Sequence, residues 1–214
     1  MELPSRWIVM LVILSLLSLF FFPSTSYADA NWMKYFRKDS LLNTYMRAYA
    51  VDGERLWVGT WGDGVVVYTG KDTISYNNRN TRSTPTNNDG LLSDMITSLS
   101  IDSKNRRVWI GTNEGLASCN LDGADWKSFT SRDGLPNDVI RDVCADEKGN
   151  VWVGTPSGVA LFDGQSFKTF DSSSGLYADS VHSITVKGDS VWVATVDGSV
   201  NRFDGSAWQV MIHR

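Results

Sequence analysis

Residues able to do chemistry are few in this sequence of 214 residues, and they do not converge. The only histidines are His182 and His213, and neither shares metal-ligand spacing with Cys119 or Cys144. No Asp-x-Asp alternation of the calcium-caging kind occurs, and no glycine-rich phosphate loop follows a strand and opens a helix. The aspartates recur at turns, as Asp63, Asp122, Asp163, Asp197 and Asp204, where a short carboxylate caps its own turn. A satisfied structural role accounts for His182, and His213 sits beside the C-terminus. No catalytic residue, metal or cofactor is expected. The chemistry that remains is recognition, by stacking and hydrogen bonding from exposed loops, so the elements carrying those loops come next.

One ruler runs through the chain: Trp, then Val or Ile, a small residue and Thr. Its copies are Trp57-Val58-Gly59-Thr60, Trp109-Ile110-Gly111-Thr112, Trp152-Val153-Gly154-Thr155 and Trp192-Val193-Ala194-Thr195, at intervals of 52, 43 and 40 residues. That period fits a four-stranded propeller blade and excludes the shorter helical and leucine-rich repeats. A closing Gly keeps step at Gly70, Gly123, Gly164 and Gly205, and Gly-Leu precedes three copies at Gly90-Leu91, Gly134-Leu135 and Gly175-Leu176. In the third copy, alternation and turn residues predict strands at Val139 to Ala145, Val151 to Thr155, Val159 to Phe162 and Ser166 to Phe170. The fold class is thus all-β: a β-propeller of about four four-stranded antiparallel blades, at 39–78, 89–130, 133–171 and 174–212. The four ruler tryptophans are expected to lie buried between neighbouring blades.

Residues 31–36 (Asn-Trp-Met-Lys-Tyr-Phe) resemble the fourth strands and are surplus to the four blades. The chain either closes as a four-bladed ring, or forms an open arc whose end faces are apolar and call for self-association or a partner.

Asp133-Gly134-Leu135-Pro136-Asn137-Asp138-Val139-Ile140, then Lys148-Gly149-Asn150-Val151-Trp152-Val153-Gly154-Thr155 and Leu161-Phe162-Asp163-Gly164, resemble the two-component regulator propeller repeat. The resemblance is close in 133–164, good in 89–123 and 174–205, and looser in 39–70. It implies a periplasmic sensor domain of the kind joined through one transmembrane helix to a histidine kinase or other signalling output, with carbohydrate fragments as the ligand class. Propeller lyases share strands of this type, so a lyase or hydrolase stays an alternative, as does a truncated structural or interaction module.

In a propeller, the turns joining second and third strands lie at the same end as the loops leading into each first strand. Function on rigid scaffolds concentrates in such loops. The binding candidates are therefore Tyr45, Trp61, Arg79, Arg82, Asn87, Asn113, Glu114, Arg132, Asp133, Tyr177 and Asp197. Trp61 stands out, because the other copies place Asn113, Pro156 and Val196 at that turn. It is read either as a stacking surface for a sugar ring or as a plug at the channel end.

A net charge of −4 supplies no basic stripe for a phosphate backbone, so nucleic acid is not an expected partner. Residues 1–30 read as a secretory signal peptide: Arg6, an uncharged run from Trp7 to Phe22, then Pro23 and small residues, with cleavage after Ala28 or Ala30. The protein is expected in the periplasm or secreted, with an uncleaved N-terminal anchor as the alternative. In that compartment a disulfide is permitted, yet Cys119 and Cys144 fall on different blades, which favours two free thiols.

Overall fold

A computed structural model describes residues 45–82 and 89–213. The expected signal peptide, the leading strand 31–36 and Asn87 lie outside the described residues. Those described form sixteen strands in four separate antiparallel sheets, each sheet in chain order. Blade 1 holds β1 (Met46–Asp52), β2 (Arg55–Thr60), β3 (Val65–Tyr68) and β4 (Thr73–Tyr76). Blade 2 holds β5 (Ile96–Asp102), β6 (Arg107–Thr112), β7 (Gly115–Asn120) and β8 (Lys127–Phe129). Blade 3 holds β9 (Asp142–Ala145), β10 (Val151–Thr155), β11 (Gly158–Phe162) and β12 (Phe167–Phe170). Blade 4 holds β13 (Val181–Lys187), β14 (Ser190–Thr195), β15 (Val200–Phe203) and β16 (Trp208–Ile212). These are the blades of a β-propeller.

Each part of the ruler has a physical job. Trp57, Trp109 and Trp152 are buried in the cores between blades 1 and 2, 2 and 3, and 3 and 4. The small residue is a socket: a Cβ on Gly59, Gly111 or Gly154 would stand 2.4, 2.8 or 2.5 Å from Ile96, Ile140 or Val181 of the next blade. The threonine closes the following turn, since Thr60, Thr112 and Thr155 Oγ1 donate to the carbonyls of Gly64, Gly115 and Gly158 at 2.8, 2.7 and 2.9 Å. The Gly-Leu pairs have an equally local origin. Gly134 (φ 109°) and Gly175 (φ 108°) end one-turn 3-10 helices in the left-handed region, which side-chain-bearing residues avoid. That turn drops Leu135 and Leu176 into the inter-blade cores.

Successive inner strands also exchange polar contacts. Ser98 Oγ donates to Asp142 Oδ1 at 2.8 Å, and Ser183 Oγ and the Ile184 amide donate to Asp142 Oδ2 at 2.9 and 2.8 Å. One carboxylate therefore ties blades 2, 3 and 4. A second line of ties joins turns of successive blades. Arg55 reaches the Leu121 carbonyl and Asp122 of blade 2, Lys104 reaches the Lys148 carbonyl of blade 3, and Lys148 pairs with Asp189 of blade 4.

Among the described residues the series does not close on itself. Inner strands pack in the order β1, β5, β9, β13, and no comparable packing joins β13 or β14 to β1. The described blades form an open arc. Trp192 accordingly departs from expectation: it is only partly buried, with no blade packed on it among the described residues, and Arg202 lies over its ring at 5.7 Å. The first strand of blade 3 also begins later than the alternation predicts, at Asp142. The Ile140 amide leaves the sheet to donate to the Thr112 carbonyl of blade 2.

Candidate binding face

The described sequence candidates lie at the end of the arc carrying the second-to-third-strand turns, but they do not form one cluster. The centre that does form is at the blade 1–blade 2 boundary. Trp61 pairs with Met95 in an antiparallel bridge, and its amide donates to the Tyr45 carbonyl at 2.8 Å. The Arg47 guanidinium lies 4.7 Å from the Trp61 ring centroid. Asn113 Nδ2 meets Met95 Sδ at 3.4 Å. Trp61 is 40% exposed and Tyr45 78%, so an aromatic surface faces solvent, held by backbone pairing beneath and a cation on one side.

The remaining candidates lie elsewhere. Asp133 caps its own turn, its carboxylate accepting from the Thr130 amide at 2.8 Å and hydroxyl at 3.0 Å, with exposed Arg132 beside it. The Asp197 carboxylate accepts from Thr195 Oγ1 and the Ser199 amide, and the Thr195 bond holds it below the usual carboxylate range. Both are turn-building contacts. Glu114 is exposed and its amide donates to Thr112 Oγ1. Arg82 donates to the Leu92 carbonyl at 3.3 Å, and Arg79 is exposed on the loop before it. Tyr177 stacks on His213, ring centroids 5.5 Å apart and planes 11° from parallel, on blade 4.

Arg47 and Met95 escaped the sequence reading, and His213 was set aside there as lying beside the C-terminus. Arg47 belongs to an alternating strand, where an arginine reads as a solvated face, and Met95 has no signal of its own. Only the bridge between two loops brings them to Trp61. His182 is exposed on β13 with no carboxylate partner among the described residues. No cluster of three or more His, Cys, Asp or Glu side chains with metal-holding geometry occurs among the described residues. Cys119 and Cys144 are both free thiols, the first buried and the second half-buried. At the opposite end, an open groove of about 290 Å³ between blades 3 and 4 is lined by Asp146, Lys148, Trp152, Asp189 and Phe203. The Lys148–Asp189 pair is part of that lining, and the groove is a seam between blades, remote from Trp61.

Comparison with known proteins agrees with this architecture. The two component regulator propeller repeat matches residues 90–114 and 134–157. Over 45 residues the chain is 44% identical to histidine kinase P4 of Formosa agariphila, a stretch covering 21% of this chain and 3% of the kinase. The extracellular domain of BT3049 from B. thetaiotaomicron, assigned as a hybrid two component system, superposes with a TM-score of 0.65 at 22% identity, over 78% of this chain and 23% of that one. The extracellular domain of BT4673 from the same organism, assigned as a one component system, gives 0.61 at 14% identity, over 78% and 25%. At such identities the likeness is one of fold. The chain spans about a quarter of the length of these structures.

Proposed function

We propose that this chain, built from two-component regulator propeller repeats, is an exported non-enzymatic binding propeller that takes carbohydrate on the Trp61 face and informs a membrane histidine kinase. The observation that carries the reading is the Trp61 platform. An indole pinned by two backbone contacts and a stacked guanidinium has little freedom left to lose when a ligand arrives, and its free area suits the apolar face of a sugar ring. Tyr45, Arg47 and Asn113 stand around it as hydrogen-bonding groups for hydroxyls. The kinase part rests on the repeat type and on the short match to a histidine kinase. Export rests on the N-terminal sequence and on the extracellular origin of the similar structures. Among the described residues no helix is long and apolar enough to cross a membrane.

The test is a thermal-shift series on residues 31–214 with glucan, mannan and uronate oligosaccharides. A ligand at one hundred times its dissociation constant stabilises by about 2.7 kcal/mol, an easily read rise in Tm. The expected result is a rise with at least one class, abolished in Trp61→Ala while the unliganded Tm stays near wild type. No rise across the panel, or a rise that survives Trp61→Ala, refutes the assignment.

A further inference from the structure

The two ends of the arc are unlike, and each lacks what the other offers. At every internal interface, three residues of an inner strand press on the preceding blade. They are Ile96, Leu99 and Ile101 on β5, Val181, Ile184 and Val186 on β13, and in blade 3 Ile140 with Val143 and Ala145 of β9. The register places Met46, Tyr49 and Val51 at the same positions on β1. There they are 50, 51 and 59% exposed, whereas Ile96, Ile140 and Val181 are fully buried. Blade 1 thus presents a complete blade-docking surface with no blade on it among the described residues.

Blade 4 presents the opposite half. Trp192 stands where Trp57, Trp109 and Trp152 are covered, and is only partly buried, with Arg202 over its ring. Its socket differs from the others in one atom, Ala194 in place of glycine. The knobs that enter the glycine sockets are β-branched, two isoleucines and a valine, and need the space of a missing Cβ. The only unbranched knob is Met46, whose flexible side chain can bend around a methyl group. So the one knob and the one socket that depart from the pattern are the two left without partners. Charge agrees with shape. Lys148 of blade 3 pairs with Asp189 in the two-residue turn Gly188-Asp189 of blade 4. Blade 1 has the corresponding turn, Gly53-Glu54, between β1 and β2, and Glu54 is exposed. On blade 4, Lys187 is exposed at the end of β13, beside the Gly188-Asp189 turn. Neither Glu54 nor Lys187 is in an ion pair among the described residues.

We infer that two copies of this chain close head to tail into an eight-bladed ring, blade 4 of each seated on blade 1 of the other, with Met46 against Ala194 and Lys187 opposite Glu54. The contact is heterologous, and a twofold axis that closes it uses both ends of both copies and leaves no face open.

Sedimentation velocity on residues 31–214, from nanomolar to high micromolar concentration, reads the assembly directly. Wild type is expected at twice the chain mass, with Tyr49→Asp shifted to the monomer. Glu54→Lys and Lys187→Glu each place like charges in both contacts and should raise the dimer dissociation constant about tenfold. Mixed one to one, they restore opposite charges at both contacts and should regain wild-type dimerisation. All three substitutions are at exposed positions, and circular dichroism checks that the fold is kept. A wild-type monomer at every concentration overturns the proposal and assigns the blade 1 face to residues 31–36 or to a different chain. A dimer whose charge-reversed variants fail to complement overturns it in favour of a blade 1 to blade 1 contact.

Discussion

Val181 of the fourth blade fills the space above Gly154 of the third, so closely that a Cβ on Gly154 would stand 2.5 Å from Val181 Cγ1. Gly154 has no left-handed backbone to protect, so its requirement for glycine is steric alone. Gly154→Ala must push β13 away or rotate Val181, an overpacking cost of about 1–3 kcal/mol. Ala194 holds the same register on blade 4, with nothing described above it. Ala194→Gly should cost only the added backbone entropy, about 0.5–1 kcal/mol. Urea denaturation of the two variants at low protein concentration compares them, and equal losses would refute the socket.

The ruler tryptophans should separate in the same way. Trp109 is 3% exposed, stacks on Phe129 at 5.8 Å and meets Phe162 edge-on at 5.4 Å. Trp109→Ala should lose about 3–5 kcal/mol, the range for a large aromatic removed from a packed core. Trp192→Ala, on the end face, should lose about 1 kcal/mol in the monomer, for the smaller apolar area it covers. Chemical denaturation of both gives the comparison.

That contrast shows what the sequence could tell and what it could not. Trp-Val-Gly-Thr is legible because one contact is solved repeatedly: the ring fills the seam, the missing Cβ admits the next strand, and the hydroxyl ties the turn. The Trp192 copy reads almost the same, since burial of a blade face depends on whether another blade follows, and a local motif carries no such information. Ala194 and Arg202 are the two residues that register the arc's end, and both pass as ordinary variation until the sheets are aligned. The binding face was legible at Trp61, an aromatic in a turn where other copies hold Asn, Pro or Val. Arg47 was not, because the stack depends on a bridge between Trp61 and Met95 from separate loops. Asp133 and Asp197 were read as binding candidates, and their carboxylates are engaged in closing turns.

Those turn carboxylates contribute to the response to acid. Asp204 accepts from the Ala207 amide first, then from the Ser206 hydroxyl and amide, and these bonds hold its pKa down to about 2 against an ordinary 3.8. Asp163, Asp171 and Asp197 are lowered by similar turn contacts. Because the folded pKa lies below the unfolded one, the stabilisation is complete above pH 3.8 and is lost as pH falls toward 2. The contribution of these groups to stability should therefore be constant at neutral pH and fall away below 3.8. Carboxyl carbon NMR should give Asp204 a midpoint near 2, and Asp204→Ala should make the acid decline shallower.

The two thiols should be present and unreactive in the folded chain. Burial pushes Cys119 up to about 12, with only partial relief from Arg107, and burial raises Cys144 as well. Attack on a disulfide reagent needs the thiolate, which burial disfavours at both residues. Cys119 on β7 and Cys144 on β9 are both free, so oxidation does not protect them. A mercury-free disulfide reagent at pH 8 should label the native protein slowly, Cys144 ahead of the fully buried Cys119, and should titrate both thiols at once in guanidinium. Rapid labelling of Cys119 under native conditions would mean that the seam between blades 1 and 2, where its side chain is packed, opens far more readily than its burial implies.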